Sequence, residues 1–314
     1  MGLMIAGVYH AEDPAPDSTL DGAFRRQAST IRNALPGTAL EPERFHLYAA
    51  WNCPWAHRVL LVLALKGLQD LVTVAYAEPR RTADGWVYAE GADAVYGASA
   101  LHHAYARVTP AYTGRITVPL LWDRLYDKAV SNESADLVRM LGTLPGHGPN
   151  LAPPEKLDQI EAWNGKIYTR LNNGVYRAGF ARTQEAYEAG FQDVFATMDE
   201  IEAQLAANRY LCGDALTEAD LRLFPTLARF DVAYHYAFKC NLRRLIDYPN
   251  LWGYARELYA LPGVAETVKF DIYKLGYFSP SELRNPLGIV PLGPEIDWTT
   301  PHGRDSLTTR SVKA

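Results

Sequence analysis

The sequence predicts a small α/β domain, an all-α domain after it, and an extended C-terminal tail. Three observations carry that reading. Between Phe45 and Ala77, two apolar runs of strand length flank one helical run. From Pro154 onward, apolar residues recur at helical spacing. From Gly276 to Ala314 there are five prolines and little periodicity. At 314 residues, two domains are a reasonable prior.

Residues 1–44 are rich in Pro, Asp and Ala and read as an irregular N-terminal extension, with a short helix expected over Phe24–Leu35. Phe45–Trp51 reads as a strand, Pro54–Lys66 as a helix stopping near Gly67, and Val72–Ala77 as a second strand. A strand–helix–strand unit implies parallel strands and a right-handed crossover. Pro79–Ile116 is long, polar and glycine-containing, and reads as a loop with a helix around Ala98–Tyr105. Thr117–Asp123 and Lys128–Ser131 form a short hairpin. Pro119, at the start of a strand, suggests a cis bond that turns the backbone toward a ligand. Asn132–Asp136 opens a helix to about Leu144, so the first domain spans residues 45–146.

The helical domain, residues 154–275, contains helices over Glu155–Asn172, Gln184–Ala207, Thr217–Tyr236 and Asn250–Leu261. Thr217 and Asp220 fit a capping box, with Leu216 and Leu221 as the hydrophobic staple. Residues 276–314 are read as a tail folded over the body. There is no internal repeat.

The composition excludes several classes. A hydrophobic share of 48% and a charged share of 21% are ordinary for a soluble globular protein. A net charge of −5 gives no electrostatic reason to expect nucleic acid or an anionic membrane as partner. No apolar run approaches the ~20 residues of a membrane span. Met1–Asp17 lacks the basic-then-apolar order of a secretory signal. Cys53, Cys212 and Cys240 are too few and too scattered for a disulfide framework, so a cytoplasmic, reduced protein is expected. No second Cys/His pair follows Cys53 and His57 at zinc spacing, and no glycine-rich phosphate loop is present. Neither a metal nor a nucleotide is therefore expected.

Cys53 is the residue with the clearest chemistry. It stands between a strand and a helix, followed by Pro54. Proline is favoured in the first helical turn, where its missing N–H needs no partner. That makes Cys53 the N-cap, with its sulfur near free backbone N–H groups and the positive end of the helix dipole. A thiol placed there ionises more easily, and the thiolate is the reactive form. A redox or thiol-transfer enzyme is the first reading. Cys212 and Cys240 read as packed core residues.

The order β-α-β, then a hairpin with Pro and a helix, is that of a thioredoxin-like fold. A helical domain after it is the layout of glutathione transferases. The motif Cys53-Pro54-Trp55-Ala56-His57-Arg58 resembles the signature of the xi class, the glutathionyl-hydroquinone reductases. Further stretches resemble the same family: Asp84-Gly85-Trp86, Gly114–Pro119, Ser131–Ser134, Asn172–Phe180, Leu216–Asp220, Phe238–Asn241, Asn285-Pro286 and Gly288–Pro291. Singly they are weak. Their order and spacing from about Phe24 to about Gly293 make a specific match.

The resemblance implies a mechanism and a set of sites. The family's cysteine, matched by Cys53, attacks the sulfur of a glutathionyl group on a hydroquinone and leaves a mixed disulfide. A second glutathione resolves it. Pro54-Trp55-Ala56 provides no second cysteine three positions on, in keeping with a one-cysteine cycle. Val118-Pro119 would clamp the glutathione backbone. Glu133 and Ser134, opening a helix, would hold the γ-glutamyl end. Ordinary capping is the plainer reading of both residues. Trp86 would contact glutathione, and Tyr176, Tyr277 and Tyr168 would bind the hydroquinone. Arg58 is expected to hold structure near the thiol, and His57 is not favoured as a base. The resemblance further implies a homodimer and no permanently bound cofactor, glutathione being a co-substrate. A related thiol could take its place. The alternatives are an omega-like thiol transferase or dehydroascorbate reductase and, from another class, a non-catalytic scaffold, against which an activated thiol argues.

Overall fold

The structure, a computed structural model, describes residues 2–11, 21–37 and 41–310. Parts of the expected extension (12–20 and 38–40) and the last residues of the tail (311–314) lie outside them. The chain forms two compact units. The first comprises residues 1–16 and 28–149, the second 17–27 and 150–314.

The first unit is built on a four-stranded sheet. Its strands are β3 (Phe45–Ala50), β4 (Val72–Ala77), β6 (Leu120–Asp123) and β7 (Lys128–Ser131), in the order β4-β3-β6-β7. All six residues of β3 are buried, as suits a central strand. It pairs parallel with β4 and antiparallel with β6, so the expected crossover is present. That crossover is α1 (Pro54–Lys66). It ends where Gly67 takes the left-handed conformation (φ 65°) and its N–H and that of Leu68 return to the Ala64 and Leu63 carbonyls. The Lys66 ammonium is buried and donates to the Leu144 and Pro149 carbonyls, fixing the end of α1.

Three expectations change here. The N-terminal residues are not irregular: β1 (Leu3–Ile5) pairs with β2 (Val8–His10) and with β5 (Gly114–Arg115) in a second sheet. The helix expected over Phe24–Leu35 does not form. Arg32 instead bridges Ser131, with Asn33 N–H donating to the Val130 carbonyl and Asn132 N–H to the Ile31 carbonyl. Strand β7 is the sheet edge, and its unpaired backbone groups recruit this segment over its weak local helix preference. The loop helix α2 occupies Leu101–Val108, three residues later than expected. The delay arises because the Asp93 carboxylate accepts the Ala98 N–H, and the Ser99 carbonyl accepts that of Tyr88.

Helix α3 (Ser134–Gly142) closes the first unit. The second is helical: α4 (Leu157–Lys166), α5 (Gly174–Gly179), α6 (Gln184–Ala207), α7 (Glu218–Arg229), α8 (His235–Ala237), α9 (Pro249–Tyr259) and α10 (Phe270–Tyr277). The capping box at Thr217 and Asp220 is present, and the buried Asp220 carboxylate also accepts from Leu211 N–H and the Tyr254 hydroxyl. Two of the long expected helices are interrupted by π-helical turns, at Ile167–Asn172 and Phe230–Tyr234. Apolar periodicity survives one extra residue in a turn, so the sequence pattern does not register these insertions. Helix α10 runs two residues past the expected domain end at 275. Beyond it the tail is anchored by buried Arg304, which donates to Glu257 and to the Leu205, Asn250, Asn208 and Arg209 carbonyls.

Candidate active site

Cys53 caps α1, with extended backbone angles (φ −83°, ψ 117°) and Pro54 in the first turn. The side chain does not itself cap the helix. Its sulfur lies 3.5 Å from the Val118 carbonyl oxygen, and the Val118–Pro119 peptide is cis. Cys53 as a residue is 8% exposed. The other two cysteines are also buried, but burial pushes the Cys212 thiol up and the Cys240 thiol up to about 12. At neutral pH Cys240 therefore stays a thiol, the unreactive form.

A second group of residues surrounds the start of α3. Glu133 is its N-cap, and its carboxylate accepts the Ala135 N–H at 3.0 Å. Ser134 is buried, and its hydroxyl accepts from the Arg58 guanidinium at 3.4 Å. Arg58 in turn lies 4.5 Å over the Trp55 ring. So Arg58 links the helix that carries Cys53 to the helix that opens with Ser134. His57 is buried beside it on α1.

Tyr105 of α2 fixes both groups at once. Its hydroxyl donates to the Thr117 carbonyl (2.8 Å), one residue before Val118. It accepts from the Asn132 amide (3.1 Å), one residue before Glu133. Trp86 lies in the preceding loop, 9% exposed, with its carbonyl accepting the Leu101 N–H at the start of α2 and Arg81 over its ring.

The second unit holds a chain of phenols. The Tyr176 and Tyr277 hydroxyls are 2.9 Å apart, and those of Tyr234 and Tyr277 are 3.0 Å apart. Tyr176 and Tyr277 are half-buried; Tyr234 is fully buried behind them. Phe24, Phe180 and Phe238 pack against the Tyr176 ring, and Arg26 lies 4.8 Å over it.

Comparison with known proteins places these features in a family. The glutathione S-transferase N-terminal domain matches residues 52–144 and the C-terminal domain residues 184–257. Glutathionyl-hydroquinone reductase YqjG of Escherichia coli is 42% identical over 97% of this chain and 99% of its own. Glutathionyl-hydroquinone reductase PcpF of Sphingobium chlorophenolicum is 44% identical over 94% and 96%. The xi-class transferase structure from Natrialba magadii matches with a TM-score of 0.88 at 38% identity, covering 98% of this chain and 97% of that one. The chain belongs to the xi-class glutathione transferase family. The glutathione-bound structure of YqjG matches with a TM-score of 0.86 at 41% identity, covering 97% of this chain and 99% of that one.

In this xi-class transferase the first unit is the thioredoxin-like domain and the second the helical transferase domain. The structure brings Cys53 against Val118-Pro119 and ties Ser134 to Cys53's helix through Arg58. Glu133 performs the ordinary capping role as well as standing where a γ-glutamyl end is expected. Of the three tyrosines expected on the hydroquinone, Tyr176 and Tyr277 are hydrogen-bonded to each other. Tyr168 stands on a π-helical turn at 39% exposure, and the third phenol of the chain is Tyr234.

Sequence reasoning missed Tyr105, Tyr234 and Arg229, which is described below. Tyr105 reads only as the last residue of a short helix within a long loop. For Arg229 a signal existed: it stands between Leu227-Ala228 and Phe230 in a mostly apolar stretch, where a charge needs a reason to be buried. Tyr105→Phe keeps the ring and removes the hydroxyl that holds both Thr117 and Asn132. Losing such a bond is worth about two- to tenfold. We expect the KM for glutathione to rise by that factor with kcat nearly unchanged; an unchanged KM would show that the hydroxyl does not position the thiol's site.

Proposed function

We propose that this protein removes the glutathionyl group from glutathionyl-hydroquinones. The Cys53 thiolate attacks the glutathionyl sulfur. A Cys53–glutathione disulfide forms as the bond from sulfur to ring carbon breaks. The electron pair of that bond leaves with the ring, which gains a proton in place of sulfur. The ring is thereby reduced and the two sulfurs are oxidised. A second glutathione thiolate then attacks the mixed disulfide, releasing glutathione disulfide and regenerating Cys53. The net reaction consumes one adduct and one glutathione, and yields one hydroquinone and one glutathione disulfide.

The observation that carries this reading is the chain Tyr176–Tyr277–Tyr234. A cysteine at a helix N-terminus alone would suit an omega-like thiol transferase equally well, and the chain is also 37% identical to an omega-like glutathione S-transferase of Schizosaccharomyces pombe. Linked phenols suit a ring bearing hydroxyls: the half-buried Tyr176 and Tyr277 can donate and accept at the quinol oxygens and stabilise charge there, with buried Tyr234 bonded to Tyr277. The names of YqjG and PcpF support the same assignment. In this reading Val118 and Pro119 clamp the glutathione backbone, Glu133 and Ser134 hold its γ-glutamyl end, and Trp86 covers it. The protein acts as a homodimer in a reducing compartment such as the cytoplasm, with glutathione as co-substrate. Among the described residues no helix is long and apolar enough to cross a membrane.

The test is stoichiometry. With a glutathionyl-hydroquinone and glutathione, one hydroquinone and one glutathione disulfide are expected per turnover. Turnover of dehydroascorbate or protein mixed disulfides without hydroquinone release would move the assignment to the omega-like reaction.

A further inference from the structure

Behind the phenol chain lies a fully buried arginine. Arg229 ends α7 and is 0% exposed. Its guanidinium donates to the Pro225 carbonyl at 2.9 Å and lies 3.7 Å from the centre of the Tyr273 ring. Tyr273 and Tyr277 are one turn apart on α10. Tyr234 ends the π-helical turn that begins directly after Arg229. Arg229 therefore touches one of the segments carrying the chain and leads into another. Turns of this type are frequent at functional sites.

A guanidinium is costly to bury, so its surroundings show what its charge serves. Burial opposes the charge of Arg229; Tyr273, Tyr277, Tyr234 and Tyr176 are the groups coupled to it, and only their ionisation, far above neutral pH, would hold it above the ordinary arginine value. In the other direction, burial and the neighbouring phenols push Tyr277 well above the ordinary tyrosine value, against the pull of Arg229. Burial also keeps Tyr234 well above that value. Tyr277 and Tyr234 therefore stay protonated at neutral pH, when their hydroxyls act as hydrogen-bond donors. The other charged groups around the chain are engaged as follows. Arg26 lies over Tyr176 and bonds Asn173, Arg284 lies over Phe180, the Asp231 carboxylate accepts from Leu245 and Ile246 N–H, and on α10 Lys274 pairs with Asp271 and donates to the Leu292 carbonyl. The field of Arg229 is thus not consumed by an ionised tyrosine.

We propose that Arg229 makes the phenol chain a receptor for an aryl oxide, a ring bound through its ionised oxygen. Tyrosine hydroxyls donate to that oxygen, and Arg229 supplies the countercharge from behind without touching the ligand. It is a positioning residue. The inference rests on the hydroquinone reading above and refines it by naming the charge state that the site selects. The chemistry fits. In the keto tautomer of the adduct, the phenolic proton has moved to the ring carbon that carries sulfur. When Cys53 takes the sulfur, the electron pair of the C–S bond passes through the ring to the oxygen. The leaving group is then the hydroquinone mono-anion, which takes its last proton from water after release.

The probe is 4-nitrophenol, whose oxide is yellow and whose phenol is not. Titrated in the presence of saturating full-length protein, its ionisation midpoint is expected to fall by about one unit, a roughly tenfold gain in the oxide-to-phenol ratio. Arg229→Met is expected to lose the shift, Arg229→Lys to keep most of it, and Arg26→Gln to leave it in place. A wild-type midpoint at or above that of the free ligand overturns the proposal, as does an undiminished shift in Arg229→Met or loss of the shift in Arg26→Gln. Should Arg229→Met fail to fold, the wild-type midpoint still decides. Failure of 4-nitrophenol to bind the wild-type protein, or binding indifferent to Tyr277→Phe, would instead remove the hydroquinone reading itself.

Discussion

Replacing Cys53 by serine is expected to lower hydroquinone release from its glutathionyl adduct by at least about a thousandfold, the scale on which loss of a nucleophile is felt. The reason is chemical. A serine hydroxyl is a poor nucleophile toward sulfur, and no second cysteine follows within the motif. Burial keeps the Cys240 thiol protonated, so it cannot substitute. The fold should be insensitive, because the Cys53 side chain makes no capping bond and serine is itself a favoured N-cap. A folded Cys53→Ser protein with near wild-type turnover would remove Cys53 from the mechanism.

Tyr176→Phe is the second large effect. The change keeps the ring packed against Phe24, Phe180 and Phe238 and removes only the hydroxyl bonded to Tyr277. If that hydroxyl stabilises charge on the departing ring, its loss should slow the first half-reaction by about 100-fold, the lower end for a transition-state donor. Attack of the second glutathione involves no quinol and should change little. Rapid-mixing measurements separate the two, as the burst of hydroquinone precedes formation of glutathione disulfide. Equal slowing of both steps would reduce Tyr176 to a packing residue.

Much of this was legible in the sequence, and the reasons for the rest are physical. The unit from Phe45 to Ala77 was readable because every signal agreed: strand-length apolar runs, proline after the cap and glycine at the stop. Local signals also sufficed for the Thr217–Asp220 capping box. What sequence could not supply was set by partners distant in the chain. Residues around Arg32 are extended because an edge strand about 100 positions away needs them. Tyr105 matters because it touches residues 12 and 27 positions away. Within the candidate site, Cys53, Val118-Pro119 and Ser134 were readable from motif and spacing. Tyr234 was not, since one tyrosine among 19 acquires its place only when a π-helical turn and a helix from a later segment bring hydroxyls within bonding distance.

The central claim is that Cys53 accepts a glutathionyl group and an outside thiol removes it. Mass spectrometry of the intact protein after exposure to a glutathionyl-hydroquinone, without free glutathione, tests that most directly. The account predicts one added glutathionyl group per chain, on the peptide containing Cys53, with an equal amount of free hydroquinone. Adding glutathione should return the original mass and give glutathione disulfide. Release of hydroquinone with an unmodified Cys53 peptide, or a glutathionyl group found on Cys212 or Cys240 instead, would contradict it.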